Sequence, residues 1–160
     1  MTAKLADEAA AGKAVRPMDL ALAEAMRARD LGEVPIGAVV TSAGGEVLAS
    51  AGNRTLTLRD PTAHAELLAI RAACAELGSE RLTDCDLYVT LEPCAMCAAA
   101  ISFARIRRLY FGAADPKGGA VEHGPRFFAQ AICHHAPEII GGLAETKAAA
   151  LLKDFFAKRR

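Results

Sequence analysis

Apolar residues recur along this chain with two different periods, and the order of those periods is what most restricts its fold. Over residues 18–31, Leu20, Leu22, Ala23, Met26 and Leu31 fall at near-helical spacing. Residues 34–41 then read as a buried strand entered through Pro35. Gly44-Gly45 signals a hairpin, and residues 46–51 return as its second strand. A polar loop (53–61) precedes a helical stretch over 63–77 that Gly78 closes. Residues 86–91 read as a strand, with Pro93 opening a helix that runs to about Phe103. A strand over 107–111, a glycine-rich loop over 115–124, a short strand over 138–140 and a closing helix over 144–158 follow. A hairpin followed by strands separated by helices predicts an α/β fold, a mixed sheet with helices on both faces.

The 160 residues suffice for one ordinary core and leave little for a second. The expected division is a poorly ordered leader over residues 1–16 and one domain over 17–160. Nineteen basic residues balance nineteen acidic ones, so nothing supports a protein that coats nucleic acid non-specifically, which needs a broad basic surface. No apolar run reaches the roughly eighteen residues of a membrane span. The leader carries Asp7 and Glu8 and lacks the apolar stretch of a signal peptide, so no membrane role and a cytoplasmic location are expected. Five cysteines, an odd number, disfavour a disulfide framework and favour metal or catalytic roles.

Two motifs carry the chemistry. His64-Ala65-Glu66 stands at the expected start of one helix, and Pro93-Cys94-Ala95-Met96-Cys97 at the start of another. Either alone is weak: a histidine near a helix start is commonly structural, and one Cys-x-x-Cys could be half of a structural zinc site or a redox pair. Together they offer one imidazole and two thiolates, three ligands for a tetrahedral zinc with its fourth position open to water. Zinc lowers the pKa of such a water to roughly 7. Glu66, two residues from a ligand, can reach that water without binding the metal. This His-x-Glu with Pro-Cys-x-x-Cys is a known signature of zinc nucleobase deaminases, a match rather than a deduction. Its proton bookkeeping requires a carboxylate: hydroxide attack needs protonation of a ring nitrogen, then of the departing amine, and Glu66 can serve both steps. Helix N-termini suit thiolates and can stabilise a developing oxyanion.

Other features weigh less. His134 and His135 after Cys133 could form an alternative zinc site with Cys94 and Cys97, which would leave His64 and Glu66 unexplained. Cys74, Cys85 and Met96 read as packing residues. Gly118-Gly119 is no phosphate loop, since no Gly-Lys-Ser or Gly-Lys-Thr follows. Arg105, Arg107 and Arg108 read equally as a basic strip or as edge arginines.

From about Met18 onward the chain resembles the bacterial tRNA-specific adenosine deaminase family, within the cytidine-deaminase-like superfamily. The resemblance rests on Val34-Pro35-Ile36-Gly37-Ala38-Val39, Gly52-Asn53-Arg54, Asp60-Pro61-Thr62-Ala63-His64-Ala65-Glu66, Leu87-Tyr88-Val89-Thr90-Leu91-Glu92-Pro93-Cys94-Ala95-Met96-Cys97, Phe111-Gly112-Ala113, Asp115-Pro116-Lys117-Gly118-Gly119-Ala120 and Phe155-Phe156-Ala157-Lys158-Arg159-Arg160. It implies a three-layer α/β/α sandwich on a five-stranded mixed sheet. It implies a homodimer with one zinc per subunit, converting the wobble adenosine of a tRNA anticodon stem-loop, typically of an arginine tRNA, to inosine. Carried over by position, Glu66 is catalytic and His64, Cys94 and Cys97 hold the metal. Asn53 would bond the base or its ribose, while Pro35, Ile36 and Ala65 line the base pocket and Leu91 and Glu92 lie along it. Asp115 and Lys117 would meet the flanking nucleotides, and Phe155, Phe156 and Arg159 the stem-loop. Bland readings stand beside these: Asn53 and Asp115 as turn residues, and Phe155 and Phe156 as core anchors with at most one facing RNA. An anticodon loop is already unpaired, which makes extruding a base cheap. The alternatives are a deaminase of free guanine, cytosine or a nucleotide, and a non-catalytic RNA-binding zinc module, which would have no use for Glu66.

Overall fold

A computed structural model of the chain describes residues 15–159. The expected leader over 1–16 therefore lies almost wholly outside the described residues, as does Arg160. The described residues form α1 (Pro17–Asp30), β1 (Gly37–Thr41), β2 (Val47–Gly52), α2 (Ala65–Leu77), β3 (Asp86–Leu91), α3 (Ala95–Ala104), β4 (Arg108–Ala113), a short 3-10 turn (Phe127–Ala129), β5 (Glu138–Ile140) and α4 (Glu145–Ala157). The strands make one sheet in the order β2-β1-β3-β4-β5. β1 runs antiparallel to β2 and β3, whereas β3, β4 and β5 are parallel. This is the mixed five-stranded sheet with helices on both faces that the alternation of periods predicted.

Every residue of β1 is buried, and the strand's period of two divides it between two cores. Ala38 and Val40 join the core with α2 and α3, through Ala65, Ala69 and Ile101. Val39 faces the other way, into a cluster with Met18, Ala21 and Leu22 of α1 and Ala148 of α4. The outer strands β2 and β5 are only partly buried, as edges require.

Small residues let α1 approach the sheet closely. A Cβ at Gly37 would meet the backbone carbonyl of Ala21 and lie 2.7 Å from the amide nitrogen of Ala25; one at Gly52 would lie 2.7 Å from the carbonyl oxygen of Glu24. Gly37 and Gly52 are register partners, so the paired glycines form a flat seat for the helix.

The strand expected over 34–41 begins only at Gly37. Pro35 has no N–H to give a ladder, and Ile36 instead accepts a hydrogen bond from the amide of Asn53 at 3.0 Å. The helix expected from Pro93 begins at Ala95, because Cys94 keeps an extended backbone as its N-cap. The 3-10 turn was not foreseen.

The sequence reading also passed over Glu33, which is fully buried. Its carboxylate accepts hydrogen bonds from the amide of Leu56 at 3.1 Å and from the amide and hydroxyl of Thr57 at 2.7 and 2.6 Å. Burial pushes its pKa up, but these donors prevail and hold it below the usual carboxylate value. Glu33 thus ties the β2–α2 loop to the end of α1.

Two outcomes follow from this packing. Gly37→Ala should cost about 3 kcal/mol by overpacking α1 against β1, read as a lowered midpoint in denaturant unfolding. Glu33→Gln should cost about 2 kcal/mol at neutral pH, since it leaves buried donors poorly matched. A carboxylate whose pKa falls on folding stabilises fully above its unfolded pKa, and that contribution disappears as pH falls through the folded value. The difference between wild type and Glu33→Gln should therefore shrink in acid, and a constant difference would contradict the assignment.

Candidate metal centre and active site

The metal-ligating side chains come from the N-terminal ends of two helices. Asp60 prepares the first: its Oδ1 accepts the amide of Thr62 at 2.8 Å and its hydroxyl at 2.6 Å. The turn leaves His64 extended as the N-cap of α2, with its carbonyl accepting the amide of Leu68 at 3.0 Å. Cys94 holds the same place before α3, and its carbonyl accepts the amide of Ala98 at 2.8 Å. Cys97 lies in the first turn of α3, buried. Both helices start beside the carboxyl end of β3, where ligands of open α/β sheets gather.

Nδ1 of His64 lies 3.6 Å from Sγ of Cys94 and 3.5 Å from Sγ of Cys97. The ligand atoms of all three residues lie within 4.8 Å of one another. A tetrahedral zinc with Zn–N bonds of about 2.0–2.1 Å and Zn–S bonds of about 2.3 Å sets an N···S separation of about 3.5 Å. The three side chains therefore fit the ion without rearrangement. Hydrogen bonding from Cys97, opposed by burial and aided by His64, brings the Cys94 thiol down to about 4. Sharing that interaction and being buried drives the Cys97 thiol up. A divalent ion held by the pair would keep both sulfurs ionised.

Glu66 is the second residue of α2 and is buried. Burial, the largest influence on it, raises the pKa of its carboxyl. Asn53 is buried, and its side-chain Oδ1 has no hydrogen-bond partner among the described residues. A buried amide oxygen without a partner costs about 1–3 kcal/mol unless something bound supplies a donor. Pro35 and Ala65 are buried, and Ile36 and Leu91 are partly so. Ile36 is tied to Asn53 through the backbone bond described above.

Leu91, Asp115, Lys117, Phe156 and Arg159 line one groove of about 870 Å³. It brings together the expected strand-end, loop and C-terminal contacts. Phe156 is half exposed there. Phe155, by contrast, is buried, with the Arg159 guanidinium 4.0 Å above its ring. The expectation that Phe155 meets RNA gives way to a core role, because its ring is covered from outside. Glu92 also departs from expectation. Rather than lining a pocket, its buried carboxylate accepts five hydrogen bonds from the protein. Burial opposes its ionisation, but the amide of Asp115 and the side chain of His123 lead the donors that hold its pKa down. Asp115 accepts the amides of Lys117 at 3.2 Å and Gly118 at 3.0 Å, the turn foreseen as its plain reading.

The alternative ligand pair falls away. Nε2 of His135 is 2.7 Å from the carbonyl oxygen of Ile106, and Sγ of Cys133 lies 3.5 Å from the Ser102 hydroxyl. Among the described residues the metal-competent group holds neither residue, nor His134. Arg107 and Arg108 are no free basic strip: Arg107 makes a bidentate pair with Asp86 at 2.9–3.0 Å, and Arg108 pairs with Glu138 at 3.1 Å. Cys85 is buried in the core and Cys74 packs against it.

This geometry separates metal binding from proton transfer. Cys94→Ala should abolish stoichiometric zinc, whereas Glu66→Ala should keep it, both read by elemental analysis of purified protein. Zinc lost from Glu66→Ala would make that residue a ligand instead.

Comparison with known proteins agrees with the site. Residues 12–113 match the family described as the cytidine and deoxycytidylate deaminase zinc-binding region. A tRNA-specific adenosine deaminase of Agrobacterium fabrum is 63% identical over 143 residues, covering 89% of this chain and 93% of its own length. A solved structure from studies of A-to-I editing by tRNA:A34 deaminases at the wobble position of transfer RNA superposes with a TM-score of 0.84. It is 64% identical and covers 85% of this chain and 98% of its own. A guanine deaminase structure from Bacillus subtilis matches with a TM-score of 0.59 and 31% identity, over 89% of this chain and 91% of its own. With the His64, Cys94 and Cys97 group assembled, Glu66 buried beside it and this likeness along most of its length, the chain belongs to the zinc-binding cytidine and deoxycytidylate deaminase family, among the tRNA-specific adenosine deaminases.

Proposed function

We propose that this protein hydrolytically deaminates adenosine to inosine at the wobble position of a tRNA anticodon. The observation that carries the reading is the groove between Leu91 at the end of β3 and the C-terminal helix. It joins Lys117, Arg159 and the exposed ring of Phe156, cations and an aromatic face of the kind that hold single-stranded nucleic acid. The relatives that span nearly the whole chain are tRNA-specific adenosine deaminases. An arginine tRNA is the proposed substrate, in the cytoplasm. No helix among the described residues is long and apolar enough to cross a membrane.

His64, Cys94 and Cys97 would hold one zinc per subunit, which when bound supplies acidity to a water at neutral pH. Asn53, with its free amide oxygen, fixes the base or ribose, while Pro35, Ile36, Ala65 and Leu91 exclude water around the ring. Glu66 takes one proton from the attacking water and delivers it to the ring nitrogen, then takes the remaining proton from the new hydroxyl and delivers it to the departing amine. The new bond joins the water oxygen to the ring carbon; the carbon–nitrogen bond breaks and ammonia leaves. The positive ends of α2 and α3 face the charge that develops. Residues 17–160 act as one zinc deaminase domain. Two copies form a homodimer, in which exposed apolar side chains such as Phe103 and Ile132 would be covered.

The test is turnover of an arginine-tRNA anticodon stem-loop by zinc-loaded protein, with free adenosine, guanine and cytosine in parallel, read by nucleoside mass spectrometry. Inosine should appear at the wobble position alone, and Glu66→Ala should lower kcat by about 10³-fold or more. Ammonia released from free guanine, with the stem-loop untouched, would replace this reading with the free-base one.

A further inference from the structure

We propose that Glu92 is the positioning residue of the groove: its buried carboxylate is the template around which the loop over residues 115–123 folds, and so it sets where Asp115 and Lys117 stand. This rests on the reading of that groove as the substrate's binding wall.

Every hydrogen bond that the carboxylate accepts among the described residues comes from the loop. Oε1 accepts the amide of Asp115 at 3.1 Å and Nδ1 of His123 at 2.7 Å. Oε2 accepts the amides of Val121, Glu122 and His123 at 3.1, 3.0 and 3.1 Å. The two ends of the loop are thus fastened to one side chain. A carboxylate only accepts, so Nδ1 of His123 must carry its hydrogen and donate it. Between these ends the chain passes so close that a Cβ at Gly119 would sit 2.5 Å from the Glu92 carboxyl carbon and from the carbonyl oxygen of Asp115. Gly119 is required there for space. The amide of Ala120 adds a bond to the carbonyl of Pro93 at 2.9 Å, which ties the loop to the strand-to-helix turn bearing Cys94.

Position decides what this does. The amide of Glu92 donates to the carbonyl of Ala113 at 2.8 Å, one residue beyond the end of β3. Leu91 lines the groove on one side of Glu92, and Asp115, Lys117 and Gly118 line it from the loop. The outward-facing part of the loop, 115–118, meets the groove, while its inward-facing amides are spent on Glu92. Such a charged acceptor can order a segment free of regular structure, since hydrogen bonds to an ionised group are about twice as strong as neutral ones. Glu92 touches no substrate in this account; it fixes the residues that do.

The experiment compares wild type, Glu92→Gln, His123→Ala and Gly119→Ala, all zinc-loaded. It measures kcat and KM on the stem-loop, zinc content, and hydrogen exchange of the substrate-free protein over residues 114–124. Glu92→Gln turns acceptor capacity into a donor facing amides. It should speed exchange across that segment and raise KM about tenfold with kcat nearly unchanged, the pattern of lost uniform binding. Gly119→Ala should reproduce that pattern. His123→Ala removes one donor and leaves four, so it stays folded and should show a smaller effect in the same direction, with zinc unchanged in all. Unchanged exchange in both Glu92→Gln and His123→Ala overturns the proposal. Zinc loss in Glu92→Gln without a KM rise in His123→Ala also overturns it, by making Glu92 a support of the metal centre. If wild type does not act on the stem-loop, the functional reading fails, and the exchange data still decide whether Glu92 templates the loop.

Discussion

Three ligand atoms on two helices, thirty residues apart in sequence, must meet within a few ångströms, and the rest of the molecule is arranged around that demand. His64 and Cys94 are both N-caps with extended backbones, so each side chain projects from the mouth of its helix rather than from its flank. Both mouths open at one edge of the sheet because α2 and α3 share a face of it and pack into the same core. An error in the register of β3 against β1 would turn its side chains to the wrong face and displace the thiolates from the imidazole.

The loops around this centre are held by buried charge rather than by apolar packing. Glu33 fastens the loop that leads into His64, and Glu92 fastens the loop that follows β4. In each case an ionised carboxylate is surrounded by backbone amides, the partner set that makes its burial tolerable. The loop after β4 is glycine-rich and offers little apolar surface to bury. Backbone amides are available at every non-proline position, so one carboxylate organises several residues at once. Asn53 follows the opposite logic: its buried oxygen accepts no hydrogen bond among the described residues.

The α1 side of the molecule supports this arrangement without taking part in it. Paired glycines on β1 and β2 let an alanine-lined helix lie almost on the sheet. That close contact buries β1 on both faces and fixes the hairpin at whose open end Ile36, just before β1, and Asn53, just after β2, stand. Arg107 and Arg108 are paired with carboxylates, whereas Lys117 and Arg159 line the groove.

Periodicity alone was enough to order the elements and to declare a mixed sheet, because burial on one or both faces imposes spacings of 3.6 or 2 that no tertiary detail alters. The metal set was equally legible, since ligand chemistry restricts which residue types can occur at those spacings. Element ends were less so: β1 starts late because Pro35 lacks an N–H, and α3 starts late because Cys94 must cap it. What only the tertiary structure decided are the roles that depend on distant partners. Glu33 and Glu92 read as ordinary acids in sequence, since their donors lie more than twenty positions away. Phe155 and Phe156 are indistinguishable until the guanidinium of Arg159 covers one ring and leaves the other exposed. Local spacing encodes which chemistry the chain can perform; long-range contacts, which loop entropy and burial settle together, decide which side chains meet a substrate and which merely hold the others in place.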